Sequence, residues 1–180
     1  MYQVDPMGER AAEIMTIGKS GGAFESFAFD IRDQSAPHFF ITEDSPYGAL
    51  RRFTPENPDW SPEKQWEILH GPGEEDYLVL WPDRTGKAGT FSWTKNYYLA
   101  ILSAEEIYPN TEGIDCYGDQ LFFVSKVKKE IFTLNLNDFT WHSTSTVSGL
   151  FDGQPDQMQR LLGDTRDLLY FTEGKFYRLN

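Results

Sequence analysis

Short runs in which large apolar residues alternate with small or polar ones recur along the whole chain, and helical periodicity is scarce. Residues 24–30 (Phe-Glu-Ser-Phe-Ala-Phe-Asp) show the period of two expected of a half-buried strand. Runs of the same kind follow at 38–42, 49–53, 77–80, 90–93, 121–124, 130–134, 168–171 and 175–179. Turn-forming residues separate nearly all of them, such as Ser45-Pro46-Tyr47-Gly48. The pattern predicts an all-β fold. One stretch departs from it: residues 94–107 place Tyr98, Ile101 and Leu102 at helical spacing between Thr94, a candidate N-cap, and Pro109. We expect one short inserted helix near 95–107. Residues 157–162 have the makings of a helical turn or two. Residues 61–70 are ambiguous, with a helix-start signal at Ser61-Pro62 and a run at 66–70 that suits a strand equally.

The strand runs also repeat in grammar: an acidic start, a strand, a polar turn, a second strand. The starts are Glu25, Glu112 and Asp156, and the closing runs 39–43 and 169–173 are close copies. The second copy carries Ser125-Lys126 where the others have Thr-Glu. Glu112 and Asp156 are 44 positions apart, and Glu25 and Glu112 are 87 apart, close to two such periods. Units of roughly 45 residues built from short strands are β-propeller blades, so the expectation is a partial β-propeller of about four blades. The less regular blade would hold 77–80 and 90–93. Residues 1–20 form an N-terminal extension and entry strand, and 21–180 the propeller. A β-sandwich with coincidental hairpins is the alternative.

Composition narrows the chemistry. The 180 residues carry a formal net charge of −12, from 16 Lys and Arg against 28 Asp and Glu. That balance argues against nucleic acid, whose phosphates need clustered cations. A single cysteine, Cys116, excludes an internal disulfide and a cysteine-based zinc site. No apolar run approaches the ~20 residues needed to span a membrane, and residues 1–10 lack the layout of a signal peptide. His38, His70 and His142 are too scattered for a local metal motif. Residues 18–22 are glycine-rich but lack the pattern of a phosphate-binding loop, and no nucleophile elbow is present. Lys126, Lys128 and Lys129 form the one cationic cluster, expected on a solvated hairpin edge. The five tryptophans suit packing between blades, or stacking on sugars.

Residues 22–30, followed by Phe39-Phe40-Ile41-Thr42-Glu43-Asp44-Ser45 and Gly48-Ala49-Leu50-Arg51-Arg52-Phe53, resemble the opening blades of the PhoX-like alkaline phosphatases. Residues 110–115 with 121–125, and 151–157 with 169–173, resemble two further blades of that family. The resemblance covers most of the chain from about Gly21 onward. It implies a six-bladed propeller whose axial carboxylates hold Ca²⁺ and Fe³⁺, hydrolysis of small phosphate esters, and a secreted or periplasmic setting. Carried onto this chain, Glu25, Glu112 and Asp156 fall at the axial blade starts, and Glu43, Asp44 and Glu173 at the strand ends. Converging carboxylates are what a hard cation requires, although Glu25 and Glu112 suit turn-capping roles equally. At ~45 residues per blade, 180 residues are too few for six, so the chain reads as part of such a propeller. A non-catalytic scaffold binding a protein or glycan partner is the competing expectation. A lactonase-like or strictosidine-synthase-like hydrolase is a third.

Overall fold

A computed structural model describes residues 1–147, 153–160, 169–172 and 176–179. A two-residue pair, β1 (Tyr2–Gln3) and β2 (Glu13–Ile14), leads through a 3-10 turn at Thr16–Gly18 into the main sheet. That sheet contains β3 (Phe24–Asp30), β4 (His38–Glu43), β5 (Arg51–Pro55), β6 (Gly73–Pro82), β7 (Ala88–Thr94), β8 (Thr111–Tyr117), β9 (Gln120–Ser125), β10 (Glu130–Asn135) and β11 (Thr140–Ser145). A second 3-10 turn, Gln65–Leu69, precedes β6, and α1 (Tyr97–Ile107) links β7 to β8. Three further strands, β12 (Gln157–Arg160), β13 (Leu169–Thr172) and β14 (Phe176–Leu179), pair in a small sheet of their own. Over the described residues the chain is all-β with one inserted helix, as the alternation predicts. Among the described residues no helix is long and apolar enough to cross a membrane.

The nine strands are hydrogen-bonded in the order β3-β4-β5-β6-β7-β11-β10-β9-β8. Two antiparallel meanders, β3–β7 and β8–β11, are joined by only three residue pairs, from Thr140 opposite Thr90 to His142 opposite Ala88. β6 and β7, expected in a blade of their own, instead continue the first meander because the first half of β6, Gly73–Tyr77, pairs with the whole of β5. Eight antiparallel steps separate β3 from β8, so these two run in the same direction. They also lie side by side, and the sheet is nearly closed.

The core fills the space between the meanders. Phe40, Leu50, Leu78 and Leu80 from the first meet Leu121, Phe123, Phe132 and Leu134 from the second, all 2 % exposed or less. Phe132 lies flat against Phe123, with ring centres 4.9 Å apart, and Tyr108 meets both rings edge-on. Tyr108 is fully buried and its hydroxyl donates to the Leu78 carbonyl at 2.6 Å. A smaller cluster of Met15, Ile17, Phe39, Ile41, Phe53 and Ile68 fastens residues 1–20 to the outer side of the sheet. His70 joins them there, with Nδ1 3.1 Å from the Ile14 carbonyl and Nε2 2.9 Å from Gln3 Oε1.

α1 starts two residues later than its sequence suggests. Asn96 is its N-cap, its Oδ1 accepting from Leu99 N at 3.2 Å, while Thr94 Oγ1 accepts from Asn96 N. Its buried face also differs from the expected Tyr98 and Leu102, which are exposed. Ala100, Ser103 and Ala104 face inward instead, because small side chains let the helix lie close on β6. There Ser103 Oγ accepts from Leu80 N at 3.0 Å. Residues 157–160, with helical makings in the sequence, form β12 because they pair with β13.

Candidate metal centre

The first two strands of each meander share one local geometry. β3 pairs with β4 through Phe24–Glu43 and then Phe27–Ile41, with a register shift between them. β8 pairs with β9 through Thr111–Ser125 and then Ile114–Phe123, with the same shift. The irregularity falls on Glu25-Ser26 in one and Glu112-Gly113 in the other. A bulge of this kind re-aims the side chain it carries. Beyond the bulges, Asp44 N donates to the Ala23 carbonyl at 2.7 Å, and Lys126 N to the Asn110 carbonyl at 3.1 Å. Asp44 and Lys126 therefore occupy matching places, one residue past each second strand.

The two hairpins lock together at this end. Thr42 Oγ1 accepts from Ser26 N and donates to the Glu112 carbonyl. Thr111 Oγ1 accepts from Glu43 N at 3.0 Å and donates to the Glu43 carbonyl at 3.2 Å. Gly113 is required here, since a Cβ would come within 2.4 Å of Met158 N, and Gly113 N donates to the Asp156 carbonyl at 2.7 Å.

These contacts bring Glu25, Asp44 and Glu112 together, with one carboxylate oxygen of each within 4.8 Å of the others. Glu25 is exposed, Asp44 half-buried and Glu112 only 2 % exposed. Lys126 Nζ stands among them, 2.6 Å from Asp44 Oδ2 and 2.5 Å from Glu112 Oε1. The latter is an ion contact without hydrogen-bond alignment. Asn110 Nδ2 donates to Asp44 Oδ1 at 2.7 Å. Burial pushes the Glu112 carboxyl up to about 7, with Asp44 and Glu25 adding to the effect and Lys126 opposing it. Burial also tends to raise Asp44, but hydrogen bonds from Lys126 and Asn110 prevail and hold it below its ordinary value. The two carboxylates in turn raise Lys126.

The other expected ligands lie elsewhere. Glu43 is turned into an ion pair with Arg51, Oε2 to Nη2 at 3.2 Å, and is not among the three clustered carboxylates. Asp156 meets β8 through its backbone carbonyl while the residue itself is exposed, and it too stands outside the group. Glu173 lies outside the described residues. Lys126, expected on a solvated edge, is instead the central cation of the site. The signal for it was positional: Ser125-Lys126 stands where the first hairpin has Glu43-Asp44.

Removing that ammonium has a pH-dependent cost. Glu112 is raised in the fold, so the stability it contributes is full below its ordinary value near 4.5 and is lost as pH rises through about 7. Asp44 is lowered, so its contribution is fully present above its ordinary value of 3.8 and is lost only as pH falls below it. The pH dependence between 4.5 and 7 is thus left to Glu112. Lys126→Met moves the Glu112 carboxyl higher still, and the loss then continues above pH 7. We expect the variant to cost about 2 kcal/mol at pH 8 and less at pH 5, read from urea midpoints across that range. An equal cost at both pH values would rule out the Lys126–Glu112 coupling. No protein-family model matches the chain, and no curated protein sequence matches it.

Proposed function

We propose that this chain is a cation-binding β-domain in which Glu25, Asp44 and Glu112 take a divalent ion, with hydrolysis of phosphate monoesters as the associated activity. The observation that carries the reading is the convergence of three carboxylates from two hairpins of matching register. Oxygens within 4.8 Å of one another suit an ion that binds its ligands at roughly 2.3–2.6 Å. An all-oxygen set fits a hard ion such as Ca²⁺ or Fe³⁺ better than a softer one, and either would need oxygens beyond these three, from water or substrate, to complete its shell. Bound there, the cation would supply charge to polarise a phosphoryl oxygen. The chain's own contribution is to hold the three carboxylates and to offer Lys126 as a charge that an entering ion displaces.

On a propeller plan β3 and β8 would be the inner strands of two blades and β12 that of a third, with the β7–β11 ladder joining the first two into one sheet. Glu25, Glu112 and Asp156 then occupy corresponding places, and β6–β7 extend the first blade instead of forming another. This plan, the phosphatase activity and a secreted or periplasmic setting all rest on the resemblance to the PhoX-like family. One observation favours the competing scaffold reading: Lys126 already neutralises Asp44 and Glu112 without any ion.

Calorimetric titration with CaCl₂, paired with assay of a chromogenic phosphate ester, separates the two. We expect Ca²⁺ to bind the wild type weakly, Lys126→Ala about tenfold more tightly, and Glu112→Gln not at all. Heatless titrations of both wild type and Lys126→Ala would sink the cation site. Binding without turnover would leave the scaffold reading ahead.

A further inference from the structure

A second cleft, of about 370 Å³, opens away from the carboxylate cluster, between the start of the first meander and the β10–β11 turn. Its polar walls are two carboxylate–guanidinium pairs. Arg32 grips Asp30 with Nε and Nη2, at 2.9 and 2.7 Å, and its Nη1 donates to Asn137 Oδ1 at 3.2 Å. Arg52 grips Asp76 in the same two-pronged way, at 2.9 and 2.6 Å, and lies 4.5 Å above the ring of Trp93. Burial and the neighbouring Arg52 lower the pKa of His38, whose Nδ1 is 2.8 Å from Thr54 Oγ1. The ring is therefore neutral at pH 7. Each guanidinium charge is cancelled by its own carboxylate, so a charged ligand gains little. What the walls retain is a fixed array of donors and acceptors.

Phe139, in the β10–β11 turn, is 49 % exposed and holds φ at +55°, a left-handed conformation unfavourable for a bulky side chain. The corresponding position in the equally long β9–β10 turn is Lys129, at φ +52°. The Phe139 ring rests against Phe91, centres 5.5 Å apart, and its exposed part lines the cleft.

We propose that this cleft binds a neutral carbohydrate, its ring laid against Phe139 and its hydroxyls shared among Asp30, Arg32 and Asn137. A sugar presents an apolar face together with groups that both donate and accept, which an aromatic ring beside charge-balanced pairs complements. An anion would meet the Asp30 and Asp33 carboxylates, and a cation the two arginines. The site is independent of the cation reading.

Saturation-transfer NMR with the methyl glycosides of glucose, galactose, mannose and N-acetylglucosamine tests the proposal, with inorganic phosphate as competitor. At least one glycoside should show transfer, unaffected by phosphate and by Glu112→Gln. Phe139→Gly, which relieves the strained φ, should weaken binding about tenfold without lowering Tm. Asn137→Ala, on the exposed turn, should weaken it severalfold with the fold intact. Silence from all four glycosides, displacement by phosphate, or full binding in both variants would overturn the proposal.

Discussion

Replacing Arg51 by methionine should lower stability by about 3–5 kcal/mol, equivalent to a fall in Tm on the order of 10 °C. Arg51 is 4 % exposed and unites four elements. Its Nη2 is 3.2 Å from both Glu43 Oε2 and the Gly21 carbonyl, and its Nη1 donates to Ser20 Oγ and lies 3.7 Å from Glu75 Oε1. The guanidinium also stacks over Phe24 at 4.9 Å. Without it, Glu43, 8 % exposed, becomes a buried charge with no counter-ion. The double variant Arg51→Met with Glu43→Gln should recover much of the loss, since it removes both charges. Arg51→Lys should recover little, because an ammonium cannot reach all these acceptors at once. Denaturant unfolding of the three proteins gives the answer. A cost under about 1 kcal/mol would place the pair with ordinary surface ion pairs.

Phe132→Ala should be comparably costly, at about 3–5 kcal/mol. The ring is fully buried, lies parallel to Phe123, and meets Trp141 at 5.8 Å and Tyr108 at 6.3 Å. Its removal opens a cavity where the two meanders face each other, and rigid rings on three sides leave little to collapse into it. Phe132→Leu keeps most of the volume and should cost less than half as much. Calorimetric unfolding separates the two variants, and equal costs would mean that aromatic geometry matters more than filled volume.

Strands with strong apolar alternation, such as β3, β4 and β10, were readable from the chain itself. β11 was not: in Thr140–Ser145 only Trp141 and Ser143 face inward, so the segment reads as polar. β12 was missed for another reason, because four residues satisfy a helical spacing as easily as a strand and the pairing with β13 decides the outcome. The helix was readable, but its inward face was not, since contact with β6 selects small residues over large ones. At the carboxylate cluster, Glu25 and Glu112 stood out by their equivalent positions. Glu43 could not be separated from Asp44 by sequence, because the bulge register turns one toward Arg51 and its neighbour toward Glu112. Lys126 was obscured because its charge is opposite to that at the matching place in the first hairpin.

The three-pair seam between β7 and β11 bears on how the molecule assembles. Within each meander every strand pairs with its neighbour in the chain, so those contacts close short loops at little entropic cost. Joining the meanders is different: Thr90 must find Thr140, and the Thr42 hydroxyl must find the Glu112 carbonyl 70 residues away. These two closures are among the long-range contacts that join the meanders. Neither is made by a long ladder, so the joining rests on the apolar surface that each meander presents to the other. We expect the two meanders to form locally first and then to join through that surface.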